Sequence, residues 1–272
     1  MRFIRGDSLK DAIEGFHKAD VPGRDPGERL LELRKLLGRF LDVCNAIAYA
    51  HSRGVLHRDL KPGNIMLGKY GETLVVDWGL AKPIGRPESA ANSEEETLKP
   101  ASASDYALTG MGAAIGTPQY MSPEQAAGQL DQLGPASDVY SLGATLYCLL
   151  TGKAPFEGAG GGGVLQRVQR GDFPPPRRVN RTVPAPLEAI CLKAMALKPT
   201  DRYLSPRALA DDIEHWLADE PVSALPEGRV QRLARWARHH RTWREPRPWP
   251  WSSWLWPPLW PRSWCMNKSR LR

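Results

Sequence analysis

The sequence predicts an α+β fold in which helices predominate and the β-strands are short. Residues 28–54 form a long amphipathic run, and residues 138–152 are apolar nearly all round, as in a buried helix. The β-rich runs NIMLG (64–68) and TLVVDWG (73–79) are joined by KYGE (69–72), which predicts a hairpin. With 42% hydrophobic and 25% charged residues, the 272-residue chain has the composition of a globular protein that buries a core.

The first predicted helix begins at Ser8, in the run SLKDAIEGFHK. Serine is a favoured N-cap, and Asp11 stands at the third position after it. Leu9, Ile13 and Phe16 recur at helical spacing. These three side chains should therefore face the core.

Later helices follow from the same periodicity. The run 28–54 closes at Gly54, a residue suited to a helix C-cap. The apolar run 138–152 predicts a central helix, and 187–197 and 206–217 predict two more. The chain should thus be built mainly from helices.

Two segments predict loops. Residues 81–112 are rich in Ala, Ser, Glu and Pro without periodicity, which indicates a long loop. GAGGGG (158–163) literally satisfies the phosphate-binding pattern G-x-G-x-x-G, but no strand precedes it and no strand lysine follows it. We interpret that run as a flexible loop between helices.

The positive charge lies at one end of the chain. The net charge is +7, yet from Arg229 onward there are eleven Lys or Arg residues against the single acid Glu245. The first 228 residues are therefore slightly acidic. This distribution does not indicate a nucleic-acid partner.

The cysteines and the N-terminal residues indicate the cellular compartment in which the chain is expected. Cys44, Cys148, Cys191 and Cys265 are scattered, with no C-x-x-C pair, which predicts free thiols in a reducing compartment. The N-terminus is too polar for a signal peptide, and no uninterrupted apolar run reaches the roughly 20 residues of a membrane span. The chain as given is expected to be cytoplasmic.

The stretch HRDLKPGN (57–64) concentrates the residue types that phosphoryl transfer needs. A carboxylate (Asp59) can orient a hydroxyl and accept its proton, and a cation (Lys61) can offset charge on the transferring group. Asn64 and Asp77 supply oxygens for Mg²⁺, because the short hairpin between them brings Asp77 back beside Asn64.

Five motifs in order resemble those of the eukaryotic-type (Hanks-type) protein kinases. They are HRDLKPGN (57–64), DWG (77–79) in place of D-F-G, GTPQYMSPE (116–124), DVYSLG (138–143) and KPTDRY (198–203). The resemblance covers residues 1–217 and points to bacterial receptor-like serine/threonine kinases. It implies a protein-kinase-like fold with a mainly helical C-terminal lobe and short β-hairpins at the catalytic cleft.

The resemblance implies a role for each residue of the site. Asp59 would be the catalytic base, with Lys61 and Asn64 completing the catalytic set, and Asn64 and Asp77 would bind Mg²⁺. ATP would contact Asp77 and the backbone near Phe3 and Ile4, in a segment that resembles the hinge between the two lobes of a kinase. The substrates would be Ser or Thr residues of proteins.

Further residues are implied as structural. Asp138 would accept backbone N–H groups of the catalytic loop, and Glu124 would pair with Arg202. Thr117 would bond the catalytic Asp59 and Lys61 and shape a Ser/Thr pocket.

Regulation would involve Arg58, which the resemblance suggests receives a phosphorylated activation loop. Thr109 is the first choice of phosphorylation site, ahead of Thr97, Ser102 and Ser104, because it lies nearest the anchored end of that segment.

The sequence resembles the large lobe of a kinase only. The glycine loop, the strand lysine and its glutamate partner would precede the hinge-like segment MRFIRGDSL (1–9), and nothing downstream replaces them. We therefore expect weak ATP binding and slow or absent turnover from this chain. The alternative is a non-catalytic, pseudokinase-like module that binds proteins.

The last part of the sequence is unusual. Residues 218–243 form a basic segment like those beside a membrane helix, and six of the ten tryptophans follow residue 248, interleaved with prolines. We interpret 244–272 either as a disordered tail or as a membrane helix read out of frame, since shifted codons would encode mostly Ala and Val. The parent protein would then be anchored by a single membrane span, with a cytoplasmic kinase domain.

Overall fold

The computed structural model describes residues 6–83, 117–157 and 161–226. Its helices are α1 (Leu9–Lys18), α2 (Pro26–Ser52), α3 (Pro123–Ala126), α4 (Pro135–Thr151), α5 (Gly161–Arg170), α6 (Pro176–Val179), α7 (Ala185–Ala194) and α8 (Pro206–Leu217). Its strands are β1 (Gly6–Ser8), β2 (Val55–Leu56), β3 (Ile65–Gly68), β4 (Thr73–Val75) and β5 (Lys82–Pro83). The predicted α+β fold, dominated by helices, is confirmed.

Helix α1 begins where the sequence predicts. The backbone N–H of Asp11 donates to Ser8 Oγ at 3.2 Å, and the backbone N–H of Ser8 donates to the Asp11 carboxylate at 3.0 Å. This reciprocal cap satisfies donors that the first turn would otherwise leave without a partner. Leu9, Ile13 and Phe16 are buried, as their spacing predicted.

Helix α4 is the centre of the fold. Every described side chain from Ser137 to Thr151 is buried, and the helix packs against α2, α7 and α8. Each large apolar side chain removed from water contributes about 1.5–3 kcal/mol, so a helix with an apolar surface all round is most stable at the centre of the core. The helix ends at Gly152, whose φ of 75° lies in the left-handed region.

Two small antiparallel sheets frame the loop between β2 and β3. One has the strand order β1-β3-β4, with Ser8 opposite Met66 and Met66 opposite Leu74. The other pairs β2 with β5, so that Leu56 lies opposite Lys82. Residues 57–64 are therefore held at both ends by paired strands.

Two loop predictions are wrong in part. Gly161 to Gly163 begin helix α5 rather than continuing a loop, because Val164 and Val168 bury one face of that helix and offset the low helix propensity of glycine. Lys82 and Pro83 form strand β5, although they lie in the segment 81–112 that was predicted to be a loop. Residues 84–116 and 158–160 lie outside the described residues.

The described cysteines confirm the prediction of free thiols. Cys44, Cys148 and Cys191 are buried and unpaired with one another, and burial raises the pKa of each thiol. Cys265 lies outside the described residues. Within the three described ranges, no helix combines the length and the apolar character that crossing a bilayer requires.

Candidate active site

Asp138 of α4 holds the start of the 57–64 loop. Its carboxylate accepts the backbone N–H groups of His57 and Arg58, each at 2.9 Å, and His51 Nε2 lies 2.7 Å from the same carboxylate. Arg58 has a φ of 71°, in the left-handed region that a non-glycine residue rarely adopts. The buried helix therefore fixes the backbone conformation just before Asp59.

Asp59 lies at the centre of a hydrogen-bond network. Its Oδ2 accepts from Lys61 Nζ at 2.7 Å and from Asn64 Nδ2 at 3.2 Å, and its Oδ1 accepts from the backbone N–H of Thr117 at 2.9 Å. Lys61 Nζ also donates to Thr117 Oγ1 at 2.7 Å. Residues far apart in the sequence thus converge on one carboxylate.

The ionisation of Asp59 reflects two opposing effects. Burial of the carboxylate raises its pKa, while the hydrogen bonds and charge of Lys61 and the bonds from Thr117 lower it. The pKa of Asp59 is lowered overall, so the group is ionised at neutral pH. It can therefore accept a hydrogen bond from a substrate hydroxyl.

Asn64 and Asp77 have the oxygens that a hard cation prefers. The amide nitrogen of Asn64 donates to the backbone oxygen of Asp59 at 2.8 Å as well as to its carboxylate, which assigns the Asn64 Oδ1 to the other side of the amide. That oxygen has no hydrogen-bond partner among the described residues. Asp77 is exposed and left-handed (φ 64°), and Val76 beside it donates to the Asn64 carbonyl at 2.9 Å.

This donor set fits Mg²⁺. An amide oxygen and a carboxylate leave room for the waters and phosphate oxygens that Mg²⁺ keeps in its octahedral shell. The part of the chain that the structure describes has no group of three or more His, Cys, Asp or Glu that could hold a metal alone. Any Mg²⁺ held by Asn64 and Asp77 would therefore take its other ligands from water or phosphate oxygens.

An apolar surface next to these residues was missed by the sequence analysis. Ile65 and Leu67 of β3 pack on the core, so the alternation of the strand places Met66 on the opposite face. Leu74, opposite Met66 on β4, is 42% exposed. Met66 and Leu74 therefore present an apolar surface on that face of the hairpin, and the uninterrupted apolar run Ile65 to Leu67 was the signal that could have revealed it.

His57 and Trp78 pack against each other below the loop. His57 is fully buried, its Nε2 lies 3.2 Å from the Val76 carbonyl, and burial lowers the pKa of its imidazole. The Trp78 ring lies 4.6 Å from the His57 ring between centroids, and the indole N–H donates to the Val75 carbonyl at 3.0 Å. Trp78 thus has both a packing partner and a hydrogen-bond acceptor.

Glu124 and Arg202 form a buried bidentate ion pair. The two guanidinium nitrogens lie 2.8 and 2.9 Å from the two carboxylate oxygens, and Ser137 Oγ also donates to Glu124 at 2.7 Å. The remaining donors of Arg202 reach backbone carbonyls, including that of Ala136 at 2.8 Å. The pair therefore ties α3, α4 and the segment before α8 together.

Several predicted site residues lie outside the described residues. Phe3, Ile4 and Thr109 are among them, so their predicted contacts stay predictions. Arg58 is described and half-buried, and its predicted role in regulation also stays a prediction.

Comparison with known proteins agrees with the geometry of this site. The protein kinase domain profile matches residues 1–212. This chain belongs to the protein kinase family. The resemblance predicted from the five motifs is thereby confirmed.

The similar kinases are bacterial. The chain is 39% identical over 222 residues to the serine/threonine-protein kinase PknD of Protochlamydia amoebophila, which covers 80% of this chain and 22% of that protein. It is 34% identical over 235 residues to PknD of Chlamydia pneumoniae, covering 83% of this chain and 24% of that protein. The chain thus spans less than a quarter of the length of these relatives.

Membership of the kinase family has general consequences. Protein kinases use ATP with Mg²⁺ and act on protein substrates.

Proposed function

We propose that this chain carries the catalytic machinery of a serine/threonine protein kinase. In the reaction, a protein hydroxyl oxygen bonds to the γ-phosphorus of ATP, the bond to the ADP oxygen breaks, and Asp59 accepts the hydroxyl proton. The observation that carries this proposal is the network that orients Asp59 through Lys61, Asn64 and Thr117.

The low pKa of Asp59 suits this role. A weakly basic carboxylate orients the hydroxyl through a hydrogen bond and takes the proton late, when the hydroxyl oxygen is already bonding to phosphorus. Lys61, 2.7 Å from Asp59, adds a positive charge where the transferring phosphoryl group would pass.

ATP and Mg²⁺ would bind beside this carboxylate. Asn64 and Asp77 would supply oxygens to Mg²⁺, which offsets the negative charge of the phosphates. The backbone of Phe3 and Ile4 would face the adenine, and Met66 would form part of its apolar floor.

Selectivity for serine and threonine is supported by Thr117. Its hydroxyl accepts from Lys61, and its backbone N–H donates to Asp59, so the segment after residue 116 closes one side of the catalytic carboxylate. Phosphorylation of Thr109, recognised by Arg58, would regulate access to this site. Membrane attachment of a longer parent protein stays a prediction from residues 218–272, of which 227–272 lie outside the described residues.

The test is a comparison of Asp59→Asn with Asp131→Asn, an equally conservative change at an exposed position. Both would be made in the 272-residue chain and in a fusion that places the N-terminal part of the Protochlamydia relative's kinase domain ahead of Met1, because weak ATP binding is expected of the chain alone. Transfer of ³²P from ATP to a Ser/Thr protein substrate is measured. We expect Asp59→Asn to lower the rate by about a hundredfold or more and Asp131→Asn to leave it unchanged.

Two results would contradict the proposal. One is a rate for Asp59→Asn within a fewfold of that of the parent fusion. The other is a parent fusion that folds and binds ATP but transfers no phosphate, which would favour the pseudokinase-like binding module instead.

A further inference from the structure

Gln125 connects two segments of the site. One is 117–124, which resembles the end of a kinase activation segment, and the other is 57–64, which resembles the catalytic loop. Its side chain is 3% exposed, and its Nε2 donates to the backbone carbonyl of Arg58 at 2.9 Å. Its Oε1 accepts from both the backbone N–H and the hydroxyl of Ser122, each at 3.1 Å. One buried amide thus bonds to both segments.

The orientation of this amide is determined by its partners. Ser122 presents a backbone N–H, which can only donate, and Arg58 presents a carbonyl, which can only accept. A flipped amide would place its NH₂ group against the Ser122 N–H and its oxygen against the Arg58 carbonyl oxygen. The Gln125 Nε2 must therefore face Arg58.

Arg58 is held at both of its peptide groups. Its N–H donates to Asp138 Oδ1 at 2.9 Å, and its carbonyl accepts from Gln125. The left-handed φ of 71° is unfavourable for arginine, so this conformation needs external bonds to persist. The carbonyl that Gln125 holds belongs to the peptide bond that leads directly into Asp59.

We propose that Gln125 is a positioning residue for the catalytic carboxylate, acting through the Arg58 carbonyl. The inference rests on the proposed kinase function. Gln125 touches no reacting atom. It sets the plane of the Arg58–Asp59 peptide and so the direction in which the Asp59 side chain leaves the backbone. The ordered end of the activation segment is thereby linked to catalysis at two points, Thr117 and Gln125.

The same residue also caps α3, and the two roles can be separated. Gln125 stands at the third helical position after Ser122, where glutamate serves a capping box as well as glutamine does. With its carboxyl ionised, Gln125→Glu keeps both bonds from Ser122 but replaces the donor facing Arg58 with an acceptor. A purely structural role would be preserved in this variant, and a positioning role would be lost. Because a buried carboxyl could instead be protonated and donate to that carbonyl, Gln125→Met, which cannot donate, is measured beside it.

The experiment measures steady-state kinetics in the active fusion for Gln125→Glu, with Ser205→Ala as the matched control. Ser205 caps the distant helix α8 through a 3.1 Å bond from the Ala208 N–H, so its loss should lower the melting temperature without changing kcat. For Gln125→Glu we expect kcat to fall by about ten- to a hundredfold, while KM for ATP stays near the parent value.

A second measurement does not depend on activity. Hydrogen exchange in the peptide that contains Arg58 and Asp59 should become faster in Gln125→Glu, while exchange in residues 123–127 stays unchanged. Gln125→Met keeps the volume and removes all the side-chain bonds, so it should show the same loss of kcat, and it replaces Gln125→Glu if that variant fails to fold.

The outcomes separate the two proposals. Suppose that the parent fusion is active and that Asp59→Asn inactivates it. Unchanged kcat and unchanged exchange in Gln125→Glu would then overturn the positioning role alone. A parent fusion that folds and binds ATP but transfers no phosphate overturns the proposed function, and unchanged exchange near Asp59 in Gln125→Glu would then overturn the positioning role as well.

Discussion

At the scale of single residues, the site contains two non-glycine residues in left-handed backbone conformations. Arg58 and Asp77 have φ values of 71° and 64°. Such conformations cost about 1–3 kcal/mol each and persist only where neighbouring groups hold them. At Arg58 those groups are Asp138 and Gln125, and the conformation directs Asp59 towards Lys61.

Thr117 provides a residue-scale prediction. In Thr117→Val, Lys61 loses the hydroxyl that accepts its second hydrogen bond, while the backbone N–H bond to Asp59 stays. We expect the lysine to shift and the rate of phosphate transfer to fall by about tenfold or more. Thr117→Ser keeps the hydroxyl and should stay within a fewfold of the parent rate. Equal rates for the two variants in the same assay would show that the hydroxyl is not needed.

At the scale of secondary structure elements, Gly152 and Gly15 differ in backbone conformation and in the space that a Cβ atom would find. Gly152 ends α4 with a φ of 75°, and a Cβ there would lie 2.8 Å from the Cγ atom of His17. The His17 ring cannot easily move away, because its Nε2 lies 2.9 Å from the Leu149 carbonyl. Gly15 lies exposed inside α1, where a Cβ would meet nothing within 4 Å.

These surroundings predict opposite effects for the same substitution. Gly152→Ala should lower the free energy of unfolding by about 1–2 kcal/mol or more, from left-handed strain and the clash with His17. Gly15→Ala should raise it by about 0.5–1 kcal/mol, because alanine favours helix. Urea unfolding of both variants followed by circular dichroism measures this. Changes of the same sign would contradict the prediction.

At the scale of the whole molecule, the ion pair of Glu124 and Arg202 joins segments 78 residues apart. Arg202→Met would leave the Glu124 carboxylate buried beside Ser137 without its cation. We expect the free energy of unfolding to fall by about 3–5 kcal/mol, from that uncompensated charge. Arg207→Met is the matched control, since Arg207 is half-exposed and its pairs should contribute less than about 1 kcal/mol.

The pH dependence of this effect has a definite sign. Burial raises the pKa of Glu124 and the Arg202 bonds lower it, with a net lowering from its ordinary value of 4.5. In the parent protein the pair therefore stabilises the fold above that value and loses its effect as the pH falls through the lowered pKa. In Arg202→Met, burial without the cation would raise the pKa, so acid would neutralise the carboxylate. The difference in unfolding free energy should shrink on acidification, and a difference that grows would contradict this account.

The features that could be predicted from the sequence are those set by residues close together in the chain. The cap of Ser8 and Asp11, the spacing of Leu9, Ile13 and Phe16, and the hairpin around KYGE depend on residues within a few positions of one another. Helix α5 and strand β5 were missed for the opposite reason. A glycine-rich start and a two-residue strand have weak local preferences, and packing or pairing with distant segments decided them.

The sequence by itself determined the family, the helical character and the residue types available for phosphoryl transfer, because motifs and periodicity are short-range properties of the chain. Only the tertiary structure decided how these residues meet. Thr117 reaches Asp59, and Gln125 reaches the Arg58 carbonyl, across 58 and 67 residues. Hydrogen bonds at such separations depend on how helices pack around the core, and no local pattern specifies which buried donor will face which acceptor.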